Sequence, residues 1–415
     1  MTHFIGIGGI GMSALAHLLL DQGKTVTGSD RKASSITKEL EKRGAKIDLT
    51  GRGKYVEQAD EIVVSTAISK DHPEILLAKA PILHRSELLE KETEKQKLLA
   101  VTGSHGKTST SALLAHTLQN LDSSYVVGGI VPTLPAHGHF GKGEYFVAEA
   151  DESDGSFLRG TPYGAIITST EPDHLDFWKT PKRLEEAYAT FSKNVSGPLF
   201  HYNKNYGYGS DWQLESCKQL GPKIHFTISY KGKTFLPLTL NAIGEHQALN
   251  ALAVFALCIE LGLSERDLQK SFASFRGVKR RAEYLGEHLG AYFYDDYAHH
   301  PTEVKAILKS LRAAYPTRRI VALFQPHRYS RFAHEWEAFS KSFTDADKLI
   351  ITDVWEAGEA PIERICPKRF AQEIGSCYLR RDQLPGKIQK NDLVVTLGAG
   401  DITCVLRKKF LCQKR

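Results

Sequence analysis

Residues 98–109 read Leu98-Leu99-Ala100-Val101-Thr102-Gly103-Ser104-His105-Gly106-Lys107-Thr108-Ser109, and their change of character decides the fold. The apolar run predicts a strand over 98–102, the two glycines a tight loop, and the following residues a helix over 111–121. In a strand–glycine loop–helix unit, backbone N–H groups converge at the helix N-terminus and cradle anions. Lys107 would then reach the β- and γ-phosphates of a nucleotide, and the Thr108 hydroxyl would ligate its Mg²⁺. The spacing is G-x-x-G-K-T. The commoner G-x-x-x-x-G-K-[ST] loop would need glycine where this chain has Val101.

Two strands are expected downstream, over 145–148 and 165–170. Their tips read Glu149-Ala150-Asp151-Glu152-Ser153-Asp154 and Glu171-Pro172-Asp173-His174-Leu175-Asp176. Oxygen-rich tips beside a phosphate loop suit a hard cation. Glu149 is a metal candidate, and His174 becomes one through the acids around it.

Upstream, a strand over 3–7 and a helix over 12–22 enclose Gly6-Ile7-Gly8-Gly9-Ile10-Gly11, and Asp30 follows Gly11 by 19 residues. This G-x-G-x-x-G pattern suits any diphosphate, whether a dinucleotide or a nucleotide sugar. A strand over 61–65 stops at a turn beginning with Ser65. The charged stretch 87–97 reads as an exposed helix or linker, and 203–210 as a loop. A helix over 246–261 carries Gln247 and Asn250 three residues apart, so both amides can face one ligand.

From residue 279 the βα alternation resumes: strand 291–294, helix 302–314, strand 320–324, helix 334–343, strands 348–352 and 393–397, then a short basic helix. Arg280 and Arg281 precede the strand that ends Asp295-Asp296-Tyr297-Ala298-His299-His300. The next strand ends Gln325-Pro326-His327-Arg328-Tyr329-Ser330-Arg331. If 327–331 is extended, His327 and Arg331 share a face and can clamp one carboxylate. Adjacent His299 and His300 would point apart, which argues against a two-histidine metal site.

The alternation throughout predicts an α/β protein of parallel sheets with helices on their faces. At 415 residues about three domains are expected. Apolar residues make up 41% and charged residues 25%, which excludes disordered and disulfide-scaffold classes. The net charge of +6 comes without a dense basic run, so nucleic acid is not expected. The six cysteines include no C-x-x-C pair, which suits a reducing compartment. Neither a signal peptide nor a membrane span is readable. We therefore expect a cytoplasmic enzyme of small-molecule substrates, with no obligate protein partner readable.

Taken together, the motifs resemble the Mur ligase family: GIGGIGMS from Gly6, GSHGKTSTS from Gly103, EADESDGSFL from Glu149, EPDHLD from Glu171, GEHQALNALA from Gly244, FRGVKRR from Phe275, DDYAHHPTEV from Asp295, FQPHRYSR from Phe324 and GAGD from Gly398. The resemblance covers nearly the whole chain. It implies a three-domain Mur ligase architecture: a Rossmann-like UDP-sugar domain (1–95), a P-loop ATP-binding domain (96–278) and a Rossmann-like amino-acid domain (279–415). The activity it implies belongs to peptidoglycan biosynthesis. ATP would convert the lactyl carboxylate of UDP-N-acetylmuramate to an acyl phosphate, which the amine of L-alanine then attacks.

The implied roles fall residue by residue. Gly6, Gly8, Gly9, Gly11 and Ser65 would meet the UDP-sugar. Gly103, Ser104, His105, Gly106, Lys107, Thr108 and Ser109 would hold ATP, with Thr108, Glu149 and His174 on Mg²⁺. Gln247 and Asn250 would face adenine, and Arg281 and Asp296 would close onto ATP. His327, Arg328 and Arg331 would receive the amino acid. Gln247 stands where the family has Asn, and Ser104 where Thr is commoner. The stretch 191–241 looks abbreviated. The nearest alternative is a recycling ligase that adds a preformed peptide to the same sugar; Asp154–Phe157 and His327–Arg331 favour alanine. An NAD-dependent oxidoreductase would leave Lys107, Glu149 and His174 unexplained.

Overall fold

Parallel sheets carry the glycine loops at their C-terminal edges, as the βα alternation requires. A computed structural model describes residues 1–383 and 388–411, without the side chains of Asp176, Lys409 and Leu411; Cys412 lies outside the described residues. The chain divides into two compact units. One comprises 1–216, 227–238 and 249–276, and the other 217–226, 239–248 and 277–415.

The first unit opens with a sheet of β1 (Thr2–Ile5), β2 (Val26–Ser29), β3 (Lys46–Asp48), β4 (Glu61–Val64) and β5 (Ile82–His84), in the order β3-β2-β1-β4-β5. All pairings are parallel, Thr2 lying between Val26 and Glu61. The strand order reverses beside β1, so the loops after β1 and β4 leave a crevice at the sheet edge. The Gly6–Gly11 loop and Ser65 both lie there.

Its helices are α1 (Ile10–Asp21), α2 (Ser35–Lys42), α3 (Pro73–Leu76) and α4 (Arg85–Thr93). The stretch 87–97, expected to be an exposed helix or linker, falls mostly in α4 and ends at the first residue of the next strand, and the helix is anchored. Leu88 and Glu92 are fully buried. The Glu92 carboxylate accepts from Gln22, Lys24 and Lys95 at 2.6–2.9 Å, which explains how a charged sequence can pack inward.

A second sheet in the same unit holds β6 (Lys97–Thr102), β7 (Ser124–Val126), β8 (Gly138–His139), β9 (Tyr145–Glu149), β10 (Gly164–Ile167) and β11 (Leu199–His201), in the order β11-β10-β6-β9-β7-β8. Only the edge strand β8 is antiparallel. The loop strand β6 is thus flanked by β9 and β10, whose tips carry the two acidic runs. Helix α1 shares one apolar core with Val126, Phe146 and Ala148 of this sheet. That explains why it is apolar on nearly every side, with Ala14, Ala16, Leu18 and Leu19 all fully buried. Ser13 Oγ lies 2.7 Å from His137 Nε2, and a Cβ at Gly138 would sit 1.9 Å from the Ala14 carbonyl oxygen.

Helices α5 (Lys107–Thr117), α6 (Leu175–Trp178), α7 (Pro181–Asn194), α8 (Glu245–Glu260) and α9 (Glu265–Ser274) follow. Helix α5 starts four residues before the predicted 111, directly at the loop lysine. The stretch expected to be abbreviated holds a sheet of β12 (Trp212–Leu220), β13 (Lys223–Tyr230), β14 (Lys233–Thr234) and β15 (Leu238–Leu240).

The second unit is built on β16 (Glu283–His288), β17 (Ala291–Asp296), β18 (Arg319–Phe324), β19 (Lys348–Ile351), β20 (Cys377–Tyr378) and β21 (Asp392–Leu397), in the order β16-β17-β21-β18-β19-β20. It is parallel except for β16. Helices α10 (Pro301–Ala314), α11 (Tyr329–His334) and α12 (Trp336–Ser340) lie among its connections. The single helix expected over 334–343 is two short ones, broken at Glu335. The break lets Phe332 and Phe339 both enter the core with Phe324 and Phe370. No helix among the described residues is long and apolar enough to cross a membrane.

Candidate active site

Gly106 has φ +85 and caps α5, a conformation that disfavours side chains. Its Cα face also has no room, because a Cβ there would sit 2.9 Å from the Asn250 amide nitrogen. Asn250 of α8, nearly buried, thus lies against the loop. Gln247, one turn earlier, has its amide 3.2 Å from His246 Nε2. The tip after β10 braces the other side of the loop. The Ser104 hydroxyl donates to the Glu171 carbonyl at 2.6 Å, and the His105 N–H to Ser169 Oγ at 3.1 Å.

Lys107 opens α5 and folds back over the loop. Its ammonium donates to the Gly103 carbonyl and to both oxygens of Glu152. Sequence reasoning had Glu152 only as one acid of a run. It is fully buried, and burial pushes its carboxyl above the usual carboxylate range against the pull of Lys107. Glu149, at the end of β9, accepts from the Thr108 and Ser111 hydroxyls, each at 3.1 Å, and from the Gly128 N–H at 2.7 Å. His174 caps α6 at φ +52 and points Nε2 to within 3.8 Å of Glu152. Lys107, Thr108, Glu149 and His174 are therefore gathered at the tips of three adjacent strands.

The donor set suits magnesium. The Thr108 hydroxyl and the Glu149 carboxylate are already paired, and a small hard cation needs only one or two such ligands when phosphate oxygens and water complete its shell. Among the described residues, no three carboxylate, imidazole or thiol groups form a complete protein cage, which a calcium or structural zinc site would need.

At the first sheet, the Gly6–Gly11 loop turns at Gly6, and the Gly8 N–H donates to Asp30 at 2.8 Å. Asp30 thus braces the loop. Beside it is Arg85, the first residue of α4, missed because it lies just before the charged stretch 87–97 and carries no motif of its own. A Cβ at Gly11 would meet its guanidinium at 3.0 Å, and it faces Asp151 at 3.7 Å. A cleft runs from Gly11 and Arg85 to Glu149, Asp151 and Arg159. It joins the glycine-loop helix to the acidic tip.

In the second unit, Asp296 is buried and accepts the Ala282 and Ala298 N–H groups at 2.6 and 2.7 Å. Burial raises its carboxyl to about 6, with Arg281 opposing. Arg280 and Arg281 flank the Tyr297 ring at 5.0 and 5.7 Å. The segment 327–331 is not extended as expected. Arg328 turns through φ +65 and α11 begins at Tyr329. One helical turn still brings Arg331 back, and its guanidinium donates to His327 Nδ1 at 3.1 Å. Burial, then His299, Arg331 and Arg328, lower His327 to about 4, so the ring is neutral at ordinary pH. With Nδ1 accepting, its proton sits on Nε2. His299 packs edge-on at 5.8 Å, and Glu303 holds its N–H at 3.0 Å. These last two residues come from a histidine pair and a helix start whose partners only the fold reveals.

Family models match along the chain: "Mur ligase family, catalytic domain" over 1–94, "Mur ligase middle domain" over 101–258 and "Mur ligase, glutamate ligase domain" over 280–400. The UDP-N-acetylmuramate–L-alanine ligase of Protochlamydia amoebophila is 41% identical over 97% of this chain and 96% of its own length. The ligase of the same name from Aquifex aeolicus is 37% identical over 97% and 95%. Among solved structures, the UDP-N-acetylmuramate–alanine ligase of Thermotoga maritima matches with a TM-score of 0.86 at 29% identity, covering 98% of this chain and 97% of that one. A murein peptide ligase from Psychrobacter arcticus has the same fold, with a TM-score of 0.69 at 22% identity over 98% and 97%. With relatives this similar along its whole length and a phosphate loop flanked by two acidic strand tips, the chain belongs to the Mur ligase family.

Proposed function

We propose that the protein joins L-alanine to UDP-N-acetylmuramate, using ATP. The lactyl carboxylate oxygen attacks the γ-phosphorus and ADP leaves. The alanine amine then attacks the acyl phosphate carbon, expelling phosphate and losing a proton to solvent, and an amide remains. The observation that carries this reading is the meeting of Lys107, Thr108 and Glu149 at adjacent strand tips. Phosphoryl transfer between two anions needs charge neutralisation and positioning more than a covalent catalyst.

In this reading, 1–95 binds the UDP-sugar through the Gly6–Gly11 loop, Ser65 and Arg85. The cleft leading to Glu149 takes its muramoyl end. Residues 96–278 bind ATP through Gly103–Ser109, with Asn250 behind the loop and Gln247 near the base. Thr108, Glu149 and His174 would hold magnesium, which supplies charge neutralisation for the phosphates. Residues 279–415 bind alanine. Arg331 and the Nε2–H of His327 donate to its carboxylate, Arg328 adds positive charge, and Arg281 with Asp296 serves the ATP phosphates.

The test is phosphate release from ATP with UDP-N-acetylmuramate and each candidate nucleophile. Alanine should turn over, and serine and glycine more poorly. Tripeptide turnover above that of alanine would replace this reading with peptide recycling. Lys107→Ala should lower kcat by at least ~10²-fold.

A further inference from the structure

An ammonium group has three N–H donors. At Lys107 all three are taken, by the Gly103 carbonyl at 2.8 Å and the two Glu152 oxygens at 2.7 and 2.8 Å. Glu152 cannot easily move away. It is fully buried, and its own carbonyl accepts from Trp178 Nε1 at 2.9 Å, which pins the tip. Glu149 is engaged elsewhere, with Thr108, Ser111 and Gly128. The two glutamates of this tip therefore have separate partners: Glu149 holds the loop threonine and Glu152 the loop lysine.

We infer that Glu152 is a positioning residue that aims Lys107 and competes with nucleotide phosphate for its charge. This rests on the reading of Gly103–Ser109 as the ATP loop. A phosphate arriving at the loop meets a lysine already neutralised by a buried carboxylate. Drawing the ammonium fully away would leave that buried carboxylate with only His174 Nε2, 3.8 Å off, to answer its charge, which is costly. Lys107 is therefore shared, kept in line by Glu152 while it turns one or two donors to the nucleotide. The grip on phosphate is weakened by design of the site, and ADP is held less tightly than a free lysine would hold it.

The experiment is a calorimetric titration of the full chain with MgATP and, separately, MgADP, without UDP-sugar or alanine. Wild type is compared with Glu152→Gln, Glu152→Asp and Lys107→Ala, and the melting temperature of each is recorded. Glu152→Gln keeps the shape and removes the charge, so it should bind both nucleotides at least ~5-fold more tightly, ADP no less than ATP. Glu152→Asp keeps the charge one methylene further back and should fall between. A purely structural Glu152 would instead lower melting temperature and affinity together. Folded Glu152→Gln with unchanged or weaker affinity overturns the inference. If that variant does not fold, unchanged or weaker binding by Glu152→Asp overturns it. Lys107→Ala should lose at least ~10-fold in affinity. If it binds like wild type, the ATP-loop reading falls and the inference with it. If only Lys107→Ala has an effect, the loop reading stands and the inference alone fails.

Discussion

His139 Nδ1 donates to the Asp21 carboxylate at 2.8 Å, joining strand β8 to the last turn of α1. Arg43 pairs with the same carboxylate, and the Phe140 N–H donates to it. Asp122 stands 3.6 Å from the other ring nitrogen, with Tyr125 and His17 nearby. The Asp21 bond raises His139 above 6.5 against burial. Burial would raise Asp21, but His139, Phe140 and Arg43 together hold it below 3.8. The histidine's contribution is complete below about 6.5 and is lost as pH rises through its folded value. The aspartate's is complete above about 3.8 and is lost as pH falls through its folded value. His139→Gln should therefore destabilise most between those limits, on the order of 1 kcal/mol for this half-buried pair. Urea melts at about pH 5.5 and pH 8.5 test this. An equal loss at both would show that the bond carries no charge.

Gly138 makes a harsher prediction. A methyl group there would lie 1.9 Å from the Ala14 carbonyl oxygen, a helix backbone atom that cannot step aside. Gly138→Ala should cost about 2–3 kcal/mol or more in urea unfolding. Because α1 begins at the Gly6–Gly11 loop, the KM for UDP-N-acetylmuramate should rise more than that for ATP. Equal changes in both would mean the strain does not reach the loop.

Asn250 supports the phosphate loop at Gly106, so its loss should be felt in two ways. Asn250→Ala should weaken ATP binding, and ATP should lose more than GTP if the amide also meets adenine. An unchanged ATP/GTP ratio with weaker binding of both would leave Asn250 as loop support only. Gln247→Asn should be tolerated, since a shorter amide on the same helix face keeps both donor and acceptor.

Local sequence was most informative where it imposes a period or a special backbone. Gly103 to Thr108 announced a strand–loop–helix unit, and β6 lies between β9 and β10, whose tips carry the acidic runs. Partners distant in sequence were not legible. Glu152 is 45 residues from Lys107, and nothing in Asp-Glu-Ser-Asp distinguishes the buried acid from its half-buried neighbours. Arg85 gave no signal because the helix it opens runs into a charged stretch, 87–97, that looks solvated, although Glu92 within it is buried with three donors. The same limit applies at His327 and Arg331. An extended segment was expected to put them on one face, but a positive-φ turn at Arg328 and the first turn of α11 instead bring them into direct contact.

In the proposed reading, that turn shapes the surface that receives the amino acid. Arg331 donates to His327 Nδ1, which leaves the remaining guanidinium donors and the His327 Nε2–H as a paired surface for one carboxylate. Because His327 stays neutral above about pH 4, this surface does not change between about pH 6 and 8. A clamp on the α-carboxylate orients the amine, and only the pocket around the side chain remains to discriminate. One methylene is worth ~1–3 kcal/mol, so serine and glycine should be poorer but measurable substrates. Arg331→Ala removes a charge-assisted pair and leaves the imidazole without its fixed tautomer. It should raise the KM for alanine by ~10–100-fold and barely move that for ATP. Arg331→Lys should recover little, since a point charge cannot hold both the ring and a planar carboxylate. Steady-state kinetics varying alanine and ATP separately decide the matter. Equal rises in both KM values would take Arg331 off the amino acid and place its role in the nucleotide step.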